Sequence, residues 1–356
     1  DHAGGDGCMT LKVKPPVSPM LAKLAREMPV GEQWAYEPKW DGFRCIVFRE
    51  GERLQLQSRK TQPLERYFPE LLPALKAALP GRAVMDGEIV VAGPRGLDFD
   101  SLQLRIHPAA SRVNKLSKEI PASFVAFDLL AVGDEDLRER TYDERRARLE
   151  QELKQDSQIF LTPQTRSAEE ARRWFVEYEG AGMDGIIAKL ASQVYAPGER
   201  VMVKVKHHRT ADCVVGGYRE HVKGGVGSLL LGLYDDSGVL HFVGHTSSFS
   251  AKERKELLER LHALEQNAEG FGQGRTPGAP SRWSSGKELS WVQLRPELVC
   301  EVTFDYMQGE RFRHATGFVR WRTDKAPMQC KFDQLARPTS FSLEDVIRKR
   351  QAVRSV

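Results

Sequence analysis

The stretch Glu37-Pro38-Lys39-Trp40-Asp41-Gly42-Phe43-Arg44 is the part of the chain from which the fold can be worked out. Its lysine, carboxylate and arginine surround a glycine, which permits a tight turn or a close approach of the backbone to a ligand. A lysine amine is a nucleophile only after it loses its proton, and a desolvated or cation-rich pocket favours that loss. The arginine offers a planar fork of donors that suits phosphate oxygens. The stretch therefore indicates a nucleophilic lysine on a turn, next to a group that can bind phosphate.

Short β-type runs alternate with amphipathic stretches on both sides of this turn, up to about Val205. Residues 54–58 alternate apolar and polar side chains, as a half-buried strand does, and residues 83–91 form a longer apolar run. Helical patterns follow from Thr141 to about Lys154 and from Ala168 to Glu179. Strands that look antiparallel, with helices covering them, predict an α+β fold for this part.

The pattern changes from Thr210 onwards. Four short apolar runs, at residues 214–218, 228–234, 240–244 and 298–304, are typical of strands, and one helix is predicted from Ala251 to Leu264. About five short strands with one helix predict a β-barrel of the OB type, a fold that binds nucleic acids. We therefore expect two domains, residues 9–207 and residues 208–356, with a helical tail at the end of the second.

Further short motifs occur in a fixed order along the chain. They are Ser58-Arg59, Met85-Asp86-Gly87-Glu88-Ile89-Val90, Phe124-Val125-Ala126-Phe127-Asp128-Leu129-Leu130, Met183-Asp184-Gly185-Ile186-Ile187-Ala188-Lys189, Lys204-Val205-Lys206 and Arg320-Trp321-Arg322-Thr323-Asp324-Lys325. Together with the spacing Lys39-x-Asp41-Gly42-x-Arg44, they resemble the motifs of the covalent nucleotidyltransferases, which include ATP-dependent DNA and RNA ligases and mRNA-capping enzymes. The resemblance runs from about Pro19 to about Leu335, and it is greatest to the small bacterial ATP-dependent DNA ligases of the LigC type.

The resemblance implies an adenylation (nucleotidyltransferase) domain with antiparallel sheets and helices, followed by an OB-fold domain. Lys39 would take AMP from ATP as a phosphoramide, and AMP would then pass to the 5′-phosphate at a nick in duplex DNA. The 3′-hydroxyl would attack that end and release AMP. Junctions that carry ribonucleotides remain open as substrates.

The same resemblance implies how the nucleotide is bound. Glu37 would contact the adenine amino group, Phe127 would stack on the purine, and Ile187 would close the opposite face of the base. Phe124 is the alternative to Phe127, although an aromatic residue on a strand is more often part of a core. The ribose and phosphate oxygens would be held by the arginines Arg44, Arg59 and Arg200.

Acidic and basic residues of the motifs supply the expected catalytic groups. Glu88 and Asp184 would hold Mg²⁺, or Mn²⁺ as an alternative, because Mg²⁺ needs only one or two carboxylates beside phosphate and water. Asp184 stands where the family usually has glutamate, so its contact with the metal is either direct or through water. Asp41 would orient Lys39 or contact the ribose. Lys204 and Lys206 alternate on a strand, and both should therefore point to the same face of it.

Arg322, Asp324 and Lys325 lie far from Lys39 in sequence. In similar ligases this motif closes over ATP to orient the pyrophosphate and later moves away. The resemblance therefore implies that these three residues act in the first chemical step.

Composition restricts the partners and the compartment. The 356 residues carry a net charge of +4, so DNA binding requires the positive charge to be gathered on one face. The five cysteines show no CxxC spacing, and we expect reduced thiols in a bacterial cytosolic protein without a zinc site. No apolar run is long enough to span a membrane. We expect a monomer that is associated with the nucleoid, and a repair polymerase or primase is a candidate partner.

Two alternatives remain at this point. A capping-type guanylyltransferase shares the lysine motif and the two-domain plan, although the Arg-x-Asp-Lys ending and the helix at Asp143-Glu144-Arg145-Arg146 resemble DNA ligases instead. The second alternative is a catalytically inactive OB protein that binds nucleic acid, against which the intact set of Lys39, Glu88 and Lys204 argues. Labelled ATP and GTP would separate these alternatives.

Overall fold

The structure is a computed structural model that describes residues 10–266, 270–271, 274–277, 290–335 and 338–348. The chain divides into two compact units. The first comprises Asp1–Lys206 together with Pro338–Val356, and the second comprises His207–Arg337. Each unit has its own hydrophobic core.

The strands of the first unit build two main sheets. The strands are β1 (Leu21–Leu24), β2 (Trp34–Pro38), β3 (Phe43–Glu50), β4 (Arg53–Ser58), β5 (Arg82–Val90), β6 (Ala92–Gly93), β7 (Gly96–Leu97), β8 (Ser123–Val132), β9 (Glu135–Asp136), β10 (Ile159–Leu161), β11 (Gly185–Leu190) and β12 (Arg200–Lys206). One sheet has the order β10-β8-β5-β3-β4, with β9 paired to β8, and the other has the order β1-β12-β11-β2. The strands pair antiparallel except for β10 with β8 and β1 with β12, so the expected α+β class is confirmed.

Helices pack against the strands of these sheets. The helices of the first unit up to Lys206 are α1 (Leu71–Ala78), α2 (Phe99–Leu104), α3 (Ala110–Glu119), α4 (Tyr142–Glu152) and α5 (Ala168–Glu177). The start of α4 is fixed by a capping box, in which Thr141 and Glu144 satisfy each other's backbone donors. The helix thereby brings Tyr142, Arg145 and Arg146 into the interior of the unit, where all three are buried.

The second unit is built on a small sheet of the OB type, as expected. Its strands are β13 (Arg209–Glu220), β14 (Val226–Tyr234), β15 (Leu240–Thr246), β16 (Val292–Gln293), β17 (Val299–Phe304), β18 (Met307–Gln308), β19 (Arg311–Phe312) and β20 (Gly317–Trp321), and its helix is α6 (Ala251–His262). The main sheet has the order β15-β14-β13-β17-β20. Thr246 at the end of β15 forms a β-bridge with Thr316, the residue before β20. This bridge connects the two edge strands of the sheet and closes it into a barrel.

The C-terminal segment differs from the expectation. We expected the tail to belong to the second domain, but the segment from Pro338 belongs to the first unit and carries helix α7 (Leu343–Arg348). The backbone N–H of Phe341 donates to the carbonyl of Gly180, the Phe341 ring packs against Tyr178, and Val346 is fully buried. The apolar side chains of the tail thus complete the core beside α5, which the local helical pattern alone did not indicate.

Candidate active site

A cavity lies between the two main sheets of the first unit, and residues from most of the sequence motifs line it. Its lining residues come from β1, β2, the turn after β2, β3, the end of β4, β5, β8, β11 and β12. They are Leu21, Ala22, Glu37, Pro38, Lys39, Trp40, Arg44, Arg59, Glu88, Phe127, Ile187, Lys189, Met202 and Lys204. Residues that are far apart in sequence therefore meet in one pocket of the kind that binds small ligands.

Strand register explains one wall of this cavity. Ile187 on β11 lies directly opposite Glu37 on β2 and opposite Lys204 on β12. Because directly opposite residues of paired strands point to the same face, the three side chains form a row across the sheet. The expected base-binding and phosphate-binding residues are thus neighbours in this wall.

The facing wall is built around Arg44 on β3, which lies opposite Glu88 on β5. Arg44 forms a bidentate pair with Asp86 through Nε and Nη2, both at 2.7 Å, and Nη2 also donates to the carbonyl of Met20. Burial acts to lower the pKa of Arg44, but Asp86 outweighs it and raises this pKa. Arg44 lines the cavity as expected, although Asp86 and Met20 take part of its donor capacity, which the sequence did not show.

Phe127 is the aromatic side chain that β8 presents to the cavity. The guanidinium of Arg44 lies 4.9 Å from the centroid of its ring, and Lys189 Nζ lies 4.6 Å from the same centroid. Phe124 is fully buried in the core. Of the two aromatic residues that the sequence offered for stacking on a base, Phe127 is the one that lines the cavity.

Lys39 is held at the end of β2 by two backbone hydrogen bonds. Its N–H donates to the carbonyl of Gly185 at 2.9 Å, and its carbonyl accepts from the N–H of Asp184 at 2.9 Å. Gly185 has φ +130°, and a Cβ there would lie 1.9 Å from the carbonyl oxygen of Val205, so a side chain is excluded. This local geometry brings the Asp184 carboxylate to Lys39, with Nζ and Oδ2 2.6 Å apart.

Asp184 is a buried carboxylate shared by two lysines. Besides Lys39, Lys206 Nζ lies 3.6 Å from its Oδ2. Lys206 does not line the cavity, so of the two lysines predicted on β12 only Lys204 does. Lys206 instead stands on the Asp184 side of Lys39, where it helps to neutralise the buried charge.

The cavity carries an excess of positive charge. Five basic residues and two acidic ones line it. The pKa of Lys204 is lowered, first by burial and then by Lys39, Lys206, Arg59 and Arg200. Neighbouring cations repel one another and so disfavour each other's protonated form. A polyanion such as a nucleoside triphosphate would relieve this repulsion on binding.

Glu88 is the titratable acid of the cavity. Its pKa is raised to about 7, with burial as the largest cause; Arg44 and Lys39 act in the opposite direction, and Asp41 and Asp86 contribute to the rise. Lys39 is therefore within electrostatic reach of Glu88 and in contact with Asp184. This arrangement places the predicted nucleophile beside both predicted metal-binding carboxylates.

Lys189 is the site residue that sequence reasoning missed. It is 3% exposed, lines the cavity and forms a 2.7 Å ion pair with Glu37. Glu37 also accepts a hydrogen bond from the hydroxyl of Tyr142 and lies 3.5 Å from Arg146 Nη1. Lys189 follows Ile187 by two residues on β11, so strand alternation would have placed both on one face.

Besides Asp184 and Lys206, two predicted site residues of the first unit, Asp41 and Arg200, lie outside the lining of the cavity. Asp41 is half-buried and acts on it through its charge, which raises the pKa of Glu88. Arg200 is exposed, donates to the carbonyl of Ala22 and contributes to the lowered pKa of Lys204. Their proposed contacts with the nucleotide therefore remain predictions.

The last motif forms a separate cluster in the second unit. Asp212 accepts hydrogen bonds from Arg322 Nη1 at 3.1 Å and from Lys325 Nζ at 2.9 Å. Arg322 also forms a bidentate pair with Asp324. Arg322, Asp324 and Lys325 are therefore adjacent. Asp212, which the sequence analysis did not select, accepts hydrogen bonds from both Arg322 and Lys325.

The acidic groups of the first unit suit a metal that takes few protein ligands. Among the described residues, no three His, Cys, Asp or Glu side chains cluster as a metal site. Glu88 and Asp184 remain as two carboxylates beside Lys39, and Mg²⁺ is commonly held by one or two carboxylates together with substrate phosphates and water. The donor set thus fits Mg²⁺ better than zinc, which prefers a closed set of nitrogen and sulfur ligands.

The remaining expectations from composition concern cysteines and membranes. Cys45, Cys213, Cys300 and Cys330 are free and buried, while Cys8 lies outside the described residues. No helix in the part of the chain that the structure describes is long and apolar enough to cross a membrane.

Family models and individual relatives agree with this geometry. The family described as "ATP dependent DNA ligase domain" matches residues 19–206, and "ATP dependent DNA ligase C terminal region" matches residues 222–325. DNA ligase C of Mycobacterium tuberculosis is 51% identical, and the match covers 95% of this chain and 99% of that relative. The multifunctional non-homologous end joining DNA repair protein LigD of the same species is 29% identical over 88% of this chain and 39% of its own length.

A solved structure from a study of Lig E DNA ligases supports the fold. It has a TM-score of 0.54 and 19% identity, and the match covers 85% of this chain and 99% of that one. The family matches favour the ligase over the guanylyltransferase and over the inactive binding protein. They also agree with the LigC type that the motifs indicated. The chain therefore belongs to the ATP-dependent DNA ligases.

Proposed function

We propose that this ligase seals nicks in duplex DNA through an AMP that is bound covalently to Lys39. The observation that carries the proposal is the position of Lys39. Lys39 directly follows the end of β2 and lines a cavity with five basic residues. Its Nζ lies 2.6 Å from Asp184 Oδ2. A lysine amine among cations and next to a carboxylate is equipped to attack a phosphorus atom.

The first step is an in-line displacement at the α-phosphorus of ATP. The Lys39 Nζ–P bond forms, the bond from the α-phosphorus to the bridging oxygen breaks, and pyrophosphate leaves with the electron pair. Asp184 accepts a hydrogen bond from Lys39, so it orients the amine and is within reach of the proton that the amine must lose. Lys204 and Arg59 line the cavity and are placed to neutralise phosphate charge.

The nucleobase occupies the inner part of the cavity in this proposal. Phe127 and Ile187 enclose the purine, and Glu37 accepts a hydrogen bond from its amino group. Lys189 and Tyr142 hold Glu37 in place. Arg44 contacts the ribose or phosphate with donors that Asp86 leaves available.

Glu88 and Asp184 would hold Mg²⁺, with Mn²⁺ as the alternative. When bound, the ion would neutralise charge on the phosphates and on the departing pyrophosphate. Arg322, Asp324 and Lys325 of the second unit contribute to this same step, and Asp41 supports it through its charge. The later steps transfer AMP to the 5′-phosphate of the nick and join that end to the 3′-hydroxyl.

The cellular role is proposed on the comparisons. The match to a relative whose name states DNA repair by end joining covers 88% of this chain, which supports a repair role. We propose that this role is carried out in the bacterial cytosol. We propose that the ligase acts as a monomer, and a repair polymerase or primase is the proposed partner.

Intact-mass measurement after incubation with Mg²⁺ and either ATP or GTP tests this proposal. The wild type should gain the mass of one AMP from ATP and nothing from GTP, and Lys39→Ala should gain neither. Lys60→Ala removes an exposed lysine outside the cavity lining and is the matched control. An adduct that persists on Lys39→Ala would refute the assignment of the nucleophile.

A further inference from the structure

Asp212, near the start of β13, brings two cations of the last motif together. Its Oδ1 and Oδ2 both accept from Arg322 Nη1 at 3.1 Å, and its Oδ2 also accepts from Lys325 Nζ at 2.9 Å. All three residues belong to the second unit, so these contacts need no residue of the first. One carboxylate therefore sets the spacing of a guanidinium and an ammonium that repel each other in its absence.

The backbone of Asp212 is held in place by one side chain. Its N–H donates to Gln334 Oε1 at 2.8 Å, and its carbonyl accepts from Gln334 Nε2 at 2.9 Å. The next residue, Cys213, is fully buried in the core of the second unit. Because successive side chains of a strand point to opposite faces, the Asp212 carboxylate points away from that core. Asp212 is thus a fixed acceptor on the outer side of the barrel.

The position of Asp212 lowers stability unless cations compensate its charge. Strand pairing sets Glu301 of β17 directly opposite Asp212, and it sets Arg320 of β20 directly opposite Glu301. Like charges directly opposite each other destabilise a sheet. Glu301 is compensated by Arg320, whose Nε lies 2.6 Å from Glu301 Oε2. A second carboxylate beside Glu301 is unfavourable for folding alone, which indicates that Asp212 serves its own two cations, Arg322 and Lys325.

Asp324 also pairs with Arg322, but it is a local and solvated partner. It lies two residues from Arg322 in the chain, and its side chain is 65% exposed. An exposed ion pair of this kind contributes little, because water and salt screen it. Asp212 lies 110 residues away from Arg322 in sequence, its side chain is 13% exposed, and it also binds Lys325. Asp212 is therefore the carboxylate that fixes both cations relative to the barrel.

We propose that Asp212 is a positioning residue for the first chemical step, and that it presents Arg322 and Lys325 as one two-cation group to the pyrophosphate of ATP. Pyrophosphate carries charged oxygens on two phosphorus atoms, so two cations at a fixed spacing suit it better than two that move independently. An ammonium has three donors, and Asp212 needs only one of them from Lys325. The inference rests on the proposed function, from which it takes the role of Arg322 and Lys325.

Asp212→Asn tests the inference, because asparagine keeps the shape of the side chain and loses its charge. The variant also loses the repulsion with Glu301, so the barrel should tolerate it. Adduct formation from ATP should slow about tenfold or more, the loss typical of a charge-assisted hydrogen bond. Single-turnover sealing of a nick whose 5′ end already carries AMP should be unchanged, because pyrophosphate takes no part in it.

Glu301→Gln is the matched control, since it neutralises the neighbouring carboxylate of the same row. It should be close to normal in both assays. Equal losses of Asp212→Asn in the two assays would overturn the inference, because they would assign Asp212 to folding or to DNA binding. An equal slowing of adduct formation by Glu301→Gln would overturn it too, because the effect would then belong to the charge of the row and not to Asp212.

A double-mutant cycle determines whether Asp212 acts through the two cations. Asp212→Asn is added to Arg322→Ala/Lys325→Ala, and the melting temperature of every variant checks its folding. Without the cations, loss of the carboxylate should not slow adduct formation further. A further tenfold loss would overturn the inference, because Asp212 would then act by another route. A normal rate in Arg322→Ala/Lys325→Ala would overturn it as well and would leave the assignment of Lys39 intact. Failure of the wild type to form any adduct would instead count against the proposed function.

Discussion

At the scale of single residues, the site depends on the close spacing of ionisable groups around Lys39. Asp184 contacts the amine, and Glu88 is within its electrostatic reach. Partly buried carboxylates at such a site can bind cations. They reduce the stability of the folded protein when no cation neutralises their charge. Stability and function should therefore respond in opposite directions to some substitutions at these positions.

Glu88→Gln should stabilise the protein without ATP, and the effect should grow with pH. The pKa of Glu88 in the folded protein is about 7, above its ordinary value of 4.5. Between these values the unfolded chain releases a proton that the folded chain retains, so stability falls as pH rises. Glutamine has no proton to lose, so the variant avoids this fall.

Melting temperatures of both proteins at about pH 5 and about pH 8 measure this difference. The advantage of the variant should be larger at the higher pH. A difference that shrinks as pH rises would show that ionised Glu88 is stabilised by Arg44 and Lys39. Adenylylation by the variant should be impaired at both pH values if Glu88 holds the metal.

Asp184→Ala should slow adduct formation, and a higher Mg²⁺ concentration should partly restore the rate. Loss of one of two carboxylates weakens binding of the metal, and mass action compensates for weaker binding. The measurement is the single-turnover rate of adduct formation against Mg²⁺ concentration. Normal rates at every concentration would make Asp184 a structural residue of the turn before β11.

At the scale of elements, pairing between strands assembles the site, and the sequence predicted only part of it. Alternation along β12 placed Lys204 and Lys206 on one face, and the motifs pointed to Glu37 and Ile187. The register that sets Ile187 opposite both Glu37 and Lys204 joins segments far apart in the chain. Such register follows from long-range packing, which one sequence does not display. For the same reason, the sequence did not identify Asp212 as the partner of Arg322 and Lys325.

The double variant Arg322→Ala/Lys325→Ala should be poor at adduct formation and should still seal a nick whose 5′ end already carries AMP. Pyrophosphate departs only in the first step, so removal of its cationic partners raises that barrier selectively. The assays are adduct formation from ATP and single-turnover sealing of the pre-adenylylated nick. Arg320→Ala, which removes an exposed arginine paired with Glu301, is the control. Equal losses in both assays would assign the two residues to folding or DNA binding.

At the scale of the whole molecule, the first unit is completed by residues from the far end of the chain. The tail was expected in the second domain, but Val346 is buried beside α5. An apolar residue on a short terminal helix gives little indication of which core it joins. Only the tertiary contacts of Phe341 and Val346 identify the unit.

Val346→Asp should destabilise the first unit by about 3 kcal/mol or more, because it places a charge in an apolar core. Adduct formation should then be lost at a lower temperature than in the wild type. Asp345→Asn changes an exposed neighbour on the same helix and should leave the melting temperature nearly unchanged. Equal melting temperatures for both variants would show that the tail adds little to this core.

The return of the tail to the first unit also constrains the order of events during synthesis. The ribosome synthesises residues 10–206 well before Pro338–Arg348. The first unit therefore lacks helix α7 while the second unit is being synthesised. During that interval Tyr178 lacks its Phe341 neighbour, and the apolar surface beside α5 is uncovered. The first unit can therefore complete its core only after the residues of the second unit have been synthesised.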